Sequence, residues 1–440
     1  MRIGMVGLGY VGLITAVGLA ELGHSVCCHD IDKTKMVMLS QRKPPIYEDG
    51  LQEKLNDDSI FNKIKMEDEI AKLVTQSDVI FIAVGTPSSE DGSANTEYVR
   101  AVVLAIAQAL CGVEESCKKT IVIKSTVPVG FTNEMNAFLQ EKIANRINVT
   151  IKFGFCPEFL REGTALNDFM NPERIVVGAE DDDTARHIGS IFETFAKNHI
   201  PFVYTNCVSA EIIKYTSNIM LAARVALINE IADYAEMVGG NIADISKAVG
   251  LDGRIGNRYL KASLGFGGSC LPKDVKAFSY FSKSSGLDLP LVQSIANSNE
   301  SHIIRQKERI TEVATLYGAK NILVLGTAFK ADTDDIRESS AIKLIKGLLA
   351  SGLNITISDP KALNNTQNVL GSCVSYTSDF YSALNTIDMI VICTDWKEFS
   401  ELDIIKVKQK MKGNVIFDLR NVLDRTLIES NGFKYYGIAN

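Results

Sequence analysis

Six residues near the start of the chain, Gly7-Leu8-Gly9-Tyr10-Val11-Gly12, restrict its fold more than any other stretch. They end a short apolar run, residues 2–8, and precede a helical pattern at residues 13–22. In such a turn the first glycine permits the tight bend and the second lets a pyrophosphate approach the backbone. The third lets helix and strand pack closely. The helix N-terminus offers amide donors and a partial positive charge to phosphate. A second strand, residues 25–29, runs into Asp30, at the spacing expected of an acceptor for ribose hydroxyls. A carboxylate there repels a 2′-phosphate, so NAD is favoured over NADP.

With 440 residues, the chain has room for about three domains. Strand-like runs recur at residues 79–84, 120–124, 151–155 and 174–177, with helical patterns between them. That alternation predicts a parallel sheet with helices on both faces. Residues 84–87 and 125–128 end two of these strands, where ligands of open α/β sheets bind. From residue 209 to 238 there is neither Gly nor Pro, and apolar residues keep helical spacing. This predicts one long helix, with further helices at 242–249, 275–284 and 290–317. Strands return at 321–325, 355–358, 389–393 and 415–418, with a helix at 340–351. The fold class is therefore α/β: two Rossmann-like doubly wound domains joined by a helical central region. The expected boundaries are 1–200, 201–300 and 301–440. A long apolar-rich helix needs more partner surface than one small domain offers, so a homodimer through it is expected.

The net charge of −7 argues against a nucleic-acid-coating surface. No uncharged apolar run approaches the ~18 residues of a membrane span. The start runs straight into a strand pattern, so no signal peptide is expected and the cytoplasm is the expected compartment. Nine cysteines lack metal-like spacing, and no metal site or disulfide is predicted.

One cysteine stands apart. Gly265-Phe266-Gly267-Gly268-Ser269-Cys270-Leu271-Pro272-Lys273-Asp274 sets Cys270 in a glycine-rich loop. Ser269 can cap a short helix with Pro272 in its first turn. A helix N-terminus and a nearby Lys273 favour the nucleophilic thiolate. Asp274 can orient a water or a lysine. On these residues alone Cys270 also fits a buried structural role. Lys214 and Asn218, four apart on the long helix, share a face and can stabilise an oxyanion. A solvated lysine beside a polar asparagine fits them as well.

Taken in order, the chain resembles the UDP-glucose/GDP-mannose dehydrogenase family over essentially its whole length. The resemblance rests on residues 7–12, 45–48, 85–87, 125–130, 157–163, Lys214-Tyr215, Asn218, the cysteine loop, 328–330 and 334–339. It implies twofold oxidation of a nucleotide-sugar primary alcohol to a carboxylate, with two NAD per substrate, through a thiohemiacetal and a thioester on Cys270. Lys214, Asn218 and Asp274 would hold the oxyanion and the catalytic water. Glu158 would assist thioester hydrolysis, with Thr126 positioning water. NAD would contact Gly7, Gly9, Tyr10, Val11, Gly12, Asp30, Lys35, Thr86, Thr126, Glu162, Lys273 and Arg337. The last domain would bind the UDP-sugar. Substrate contacts would come from Glu158, Phe159, Leu160, Arg161 and Glu162, and from Lys214 and Asn218. Tyr259, Leu260, Lys261, Ala262, Ser263, Gly267 and Lys330 would add to them. Arg254 and Arg420 would join them, one of the two across a subunit boundary. Cys156, Asp49 and Asn95 stand where the family more often has Asn, Pro and Asp.

UDP-glucose is the favoured substrate, with GDP-mannose or a UDP-N-acetylhexosamine as the alternative. A single-step hydroxyacid dehydrogenase of the 6-phosphogluconate type shares the fold logic but needs no cysteine. A nucleotide-binding regulator that has lost the chemistry is the non-enzyme alternative.

Overall fold

A computed structural model describes residues 1–440. The chain forms two compact units, Met1–Ser217 and Asn218–Asn440. Their dividing point falls inside one helix, Cys207–Val238.

The first unit is built on eight strands: β1 (Arg2–Val6), β2 (Ser25–His29), β3 (Ile64–Met66), β4 (Val79–Ile82), β5 (Cys117–Ile123), β6 (Val149–Phe155), β7 (Ile175–Ala179) and β8 (Phe202–Thr205). Their order is β3-β2-β1-β4-β5-β6-β7-β8. Successive side chains of a strand face opposite ways. Val79 and Phe81 of β4 accordingly join one apolar layer, and Ile80 and Ile82 the other. Because both faces are covered, the strands read as continuous apolar runs rather than alternating ones.

One joint departs from the expected parallel pattern: β7 runs antiparallel to β6. A parallel crossover needs an element that returns along the sheet, usually a helix. The link here carries only the six-residue helix Ala165–Met170. Such a helix is about 9 Å long, too short to make the return.

The second unit holds six parallel strands: β9 (Asn321–Leu325), β10 (Asn354–Ser358), β11 (Ser375–Tyr376), β12 (Met389–Ile392), β13 (Val415–Asp418) and β14 (Lys434–Gly437). Their order is β11-β10-β9-β12-β13-β14. In each sheet the earliest strand, β1 or β9, is flanked on both sides by later ones. The chain therefore reverses its direction of winding there, and the crevice at that switch point is where such sheets take ligands.

Two long helices complete the second unit's interior, the C-terminal part of Cys207–Val238 and Pro290–Tyr317. Pro290 occupies the first turn, where its missing N–H has no intrahelical bond to lose, and left-handed Gly318 ends the helix. On the first of these helices Met220, Leu227, Ile231, Tyr234 and Val238 are exposed. They recur at helical spacing and form one uncovered apolar stripe.

None of the nine cysteines is in a disulfide, and Cys111 and Cys373 are exposed. No helix is long and apolar enough to cross a membrane.

Candidate active-site residues of the two units

The glycine turn sits at the carboxyl end of β1. Its helix is Tyr10–Glu21, three residues earlier than the periodicity predicts, and no side chain caps it. Its first amides are thus left for something other than the protein. A methyl group on Gly12 would sit 1.9 Å from the Gly7 carbonyl oxygen, whereas one on Gly9 would meet nothing within 4 Å. Gly12 is consumed by packing, and the space over Gly9 suits a pyrophosphate. Gly7 N–H donates to the His29 carbonyl (2.8 Å), and Leu8 N–H to Asp30 Oδ2 (2.6 Å). Asp32 N–H donates to Asp30 Oδ1 (2.8 Å). These bonds fix the acid at the edge of the turn, so the residues fit an NAD. Val11 and Lys35 are half-buried nearby in sequence, Lys35 on the helix Lys33–Ser40.

Tyr10 does more than its place in the fingerprint suggests. Its hydroxyl donates to Glu48 Oε2 in a close contact and accepts from Gly163 N–H at 2.6 Å. Gly163 N–H also reaches Glu48 (2.7 Å), as does Leu166 N–H (3.3 Å). The buried Glu48 therefore binds the nucleotide turn to the 158–163 segment, a role its sequence position did not disclose. Thr86 Oγ1 donates to the Thr126 carbonyl (2.8 Å), joining the stretches after β4 and β5.

Glu158 and Lys214 form a buried ion pair. Lys214 Nζ lies 2.7 Å from Glu158 Oε1 and 2.8 Å from its carbonyl oxygen, and Leu160 N–H donates to Oε2 at 2.6 Å. Burial pushes the Glu158 carboxyl up. The Lys214 charge and hydrogen bond, the Leu160 amide and Lys124 outweigh burial and hold it below the ordinary range. Phe159 carries Arg174 over its ring at 3.8 Å. Arg161 is exposed and pairs with Asp168 at 2.6 Å, while Glu162 is half-buried. Cys156 is buried beside this segment and its thiol is pushed up by burial, against the opposing pull of Lys124.

In the second unit Cys270, rather than Ser269, is the N-cap of the helix Leu271–Ser284, and Pro272 lies in its first turn. The Ser269 hydroxyl stands 3.5 Å from Sγ instead of capping. Asp274 is buried, and it accepts from Asn218 Nδ2 (2.6 Å) and, in a close contact, from Lys273 Nζ. Lys273 thus spends its charge on Asp274. Gly267 lies against the Glu338 carbonyl, and Gly268 N–H donates to the Arg337 carbonyl (3.0 Å).

Tyr259 takes a left-handed backbone (φ 62°) just before Leu260, Lys261 and Ala262. Those three help line a cavity of about 420 Å³ with Lys247 and Asn421. Lys261 and Arg420 converge on Asp395, at 3.8 and 2.8 Å. Asp395 went unnoticed in the sequence, where nothing marks it. Lys330 is half-buried, its Nζ 5.9 Å from the Phe329 ring centre. Arg337 is held by Asp335 (2.7 Å), and the exposed Arg254 by Asp252 (2.6 Å). Beside β9, Asp359 accepts from the amides of Thr327 (2.7 Å), Ala328 (3.1 Å), Lys361 (2.9 Å) and Ala362 (2.7 Å).

Residues 1–196 match the NAD binding domain of the UDP-glucose/GDP-mannose dehydrogenase family. Residues 208–301 match its central domain, and residues 323–425 its UDP binding domain. The chain is 37% identical over 438 residues to UDP-glucose 6-dehydrogenase TuaD of Bacillus subtilis, covering 100% of this chain and 93% of that one. It is 38% identical over 445 residues to UDP-glucose 6-dehydrogenase of Rickettsia prowazekii, covering all of both. Among solved structures it superposes on a UDP-glucose dehydrogenase from Pyrobaculum islandicum with a TM-score of 0.89 and 34% identity, covering 100% and 97% of the two chains.

Proposed function

The chain belongs to the UDP-glucose/GDP-mannose dehydrogenase family, and we propose that its reaction is the twofold oxidation of UDP-glucose to UDP-glucuronate through a covalent bond to Cys270. The observation that carries this is the placement of Cys270 at a helix N-cap, with the buried Asn218–Asp274 pair in the same unit. NAD, held by the glycine turn and Asp30, supplies the hydride acceptor, one molecule for each oxidation.

The chain's own groups divide the remaining work. First, loss of the hydroxyl proton and the C6 hydride gives the aldehyde. The Cys270 thiolate adds to its carbon, and the oxygen takes up a proton to form the thiohemiacetal. Loss of that proton and a second hydride leaves the thioester. Water then adds to the thioester carbonyl, the carbon–sulfur bond breaks, and the thiolate, a carboxylate and protons are released. Covalent capture divides one hard oxidation into easier steps and keeps the aldehyde from escaping. Lys214 and Asn218 donate to the oxygen while it carries negative charge, which is where preorganised donors lower the barrier. Asp274 orients the Asn218 amide, and Glu158, held ionised by Lys214, takes a proton from the attacking water. Thr126 positions that water. Lys261 and Arg420 neutralise the diphosphate, exchanging Asp395 for it. Arg254 and Lys330 add cationic charge for the same ligand.

UDP-glucose is favoured over GDP-mannose or a UDP-N-acetylhexosamine because relatives at 37 and 38% identity carry the UDP-glucose 6-dehydrogenase name over full length. A dehydrogenase of UDP-D-MAnNAc from Pyrococcus horikoshii stands at 25%. Incubation with each sugar nucleotide in turn, with NADH and product quantified, is expected to give two NADH per UDP-glucose. Fastest turnover of GDP-mannose would overturn the substrate assignment, and one NADH per substrate would overturn the chemistry.

The uncovered stripe from Met220 to Val238 supports assembly as a homodimer. Sedimentation equilibrium is expected to return twice the 48.1 kDa chain mass, and a monomer at micromolar concentration counts against it.

A further inference from the structure

We propose that Asn299, with the Asn229–His302 pair beside it, is a positioning residue for Cys270: buried side chains stand in for a neighbouring strand along the segment that carries the cysteine. The proposal rests on Cys270 being the nucleophile.

Residues 262–268 run through the interior of the second unit without belonging to any strand. Buried backbone N–H and C=O groups must nevertheless be paired. Ser263 N–H donates to Asn229 Oδ1 (2.9 Å), and the Ser263 carbonyl accepts from His302 Nε2 (2.9 Å). Three residues on, Phe266 N–H donates to Asn299 Oδ1 (2.8 Å) and its carbonyl accepts from Asn299 Nδ2 (3.0 Å). A carboxamide offers an acceptor and donors side by side, as a peptide group of an adjacent strand does. Asn299 is 3% exposed, His302 0% and Asn229 1%.

The inward face of Pro290–Tyr317 is polar where an apolar face is expected, at Asn299, His302 and Gln306. Burying such groups is unfavourable unless each is hydrogen-bonded, so their presence calls for a purpose. His302 is aimed by Asp233, which accepts from its Nδ1 (3.0 Å) and is itself held by Arg305 (2.6 Å) and Gln306 (3.2 Å). Gly265, between the two clamps, has φ +133°, and a methyl group there would lie 2.7 Å from Asn299 Oδ1. The backbone thus passes too near the carboxamide for any side chain. Cys270 follows Phe266 by four residues, two of them glycines, so the clamped Phe266 peptide lies a short way before the thiol.

The test uses full-length Asn299→Ala and Asn299→Asp proteins. Four quantities are measured: kcat and KM with UDP-glucose, thermal midpoint, and the pH profile of iodoacetamide alkylation mapped to Cys270. Asn299→Ala is expected to lower kcat by about ten-fold or more while KM stays within about three-fold. The alkylation midpoint should move by at least about half a pH unit. Asn299→Asp keeps the shape and the acceptor and loses the donor, so it is expected to show the same shifts, only smaller. An unchanged alkylation profile overturns the proposal. So does a loss of activity that merely follows the loss of folded protein, or failure of both variants to fold, because a purely structural residue would give those results. Full turnover by a Cys270→Ser protein would instead sink the nucleophile reading, whereas the alkylation profile reports on the clamp either way.

Discussion

A Cys270→Ser protein is expected to fold normally and to lose formation of UDP-glucuronate by on the order of a thousand-fold or more. Serine is close to cysteine in size, and position 270 is a half-buried N-cap, where serine is among the preferred residues. Its thermal midpoint should therefore hardly change. The hydroxyl, however, is not ionised near neutral pH as an activated thiol is, and the thioester proposed as the product of the second oxidation cannot form. The measurement is NADH released per UDP-glucose over a long incubation, with the product identified by mass. Two NADH at a rate near that of the native protein would remove the covalent mechanism.

Glu158→Gln should produce the largest loss of stability among the site residues. The substitution leaves Lys214 charged and buried, with a neutral amide where its counter-ion stood. Breaking one side of a buried pair costs roughly 3–5 kcal/mol. For a unit of this size that lowers its unfolding midpoint by about 10 °C. The pH dependence follows from the direction of the Glu158 shift. Its folded-state pKa lies below the ordinary value, so the unfolded chain takes up the proton first as the solution is acidified. The native advantage over the Gln variant is then fully present above the ordinary glutamate pKa of about 4.3. It declines as pH falls from there through the folded value. Thermal melts of both proteins between neutral pH and pH 3.5 measure this, and a constant gap across that range contradicts it. In catalysis the same variant should accumulate a sugar adduct on Cys270, visible in the intact mass, because hydrolysis lacks its base.

What could be read from the chain depended on how local each signal was. The nucleotide turn is legible because its three glycines, its helix and Asp30 fall within about thirty residues, the span of one βαβ unit. The long helix is legible because nothing in it breaks periodicity. By contrast β3 and β11 have three and two residues, too few for any pattern, and their pairing partners alone make them strands. Partnerships across sequence were likewise hidden. Tyr10 and Glu48 are 38 positions apart, and Glu158 and Lys214 are 56. Asp395 carries no motif, yet it gathers Lys261 and Arg420. The N-cap fell to Cys270 rather than Ser269 because the glycines before it set the loop's course, a backbone matter that side-chain preference does not reveal.

The two carboxylates that follow the second strand of each sheet differ in what they have left to give. A carboxylate offers about four lone-pair directions. Asp359 receives four amide protons, from Thr327, Ala328, Lys361 and Ala362, and is saturated. Asp30 receives two, from Leu8 and Asp32, and would have two left for the ribose diol of the NAD proposed above. The same strand–turn–helix scaffold thus leaves acceptor valence on its carboxylate in one half of the protein and fills it from within in the other.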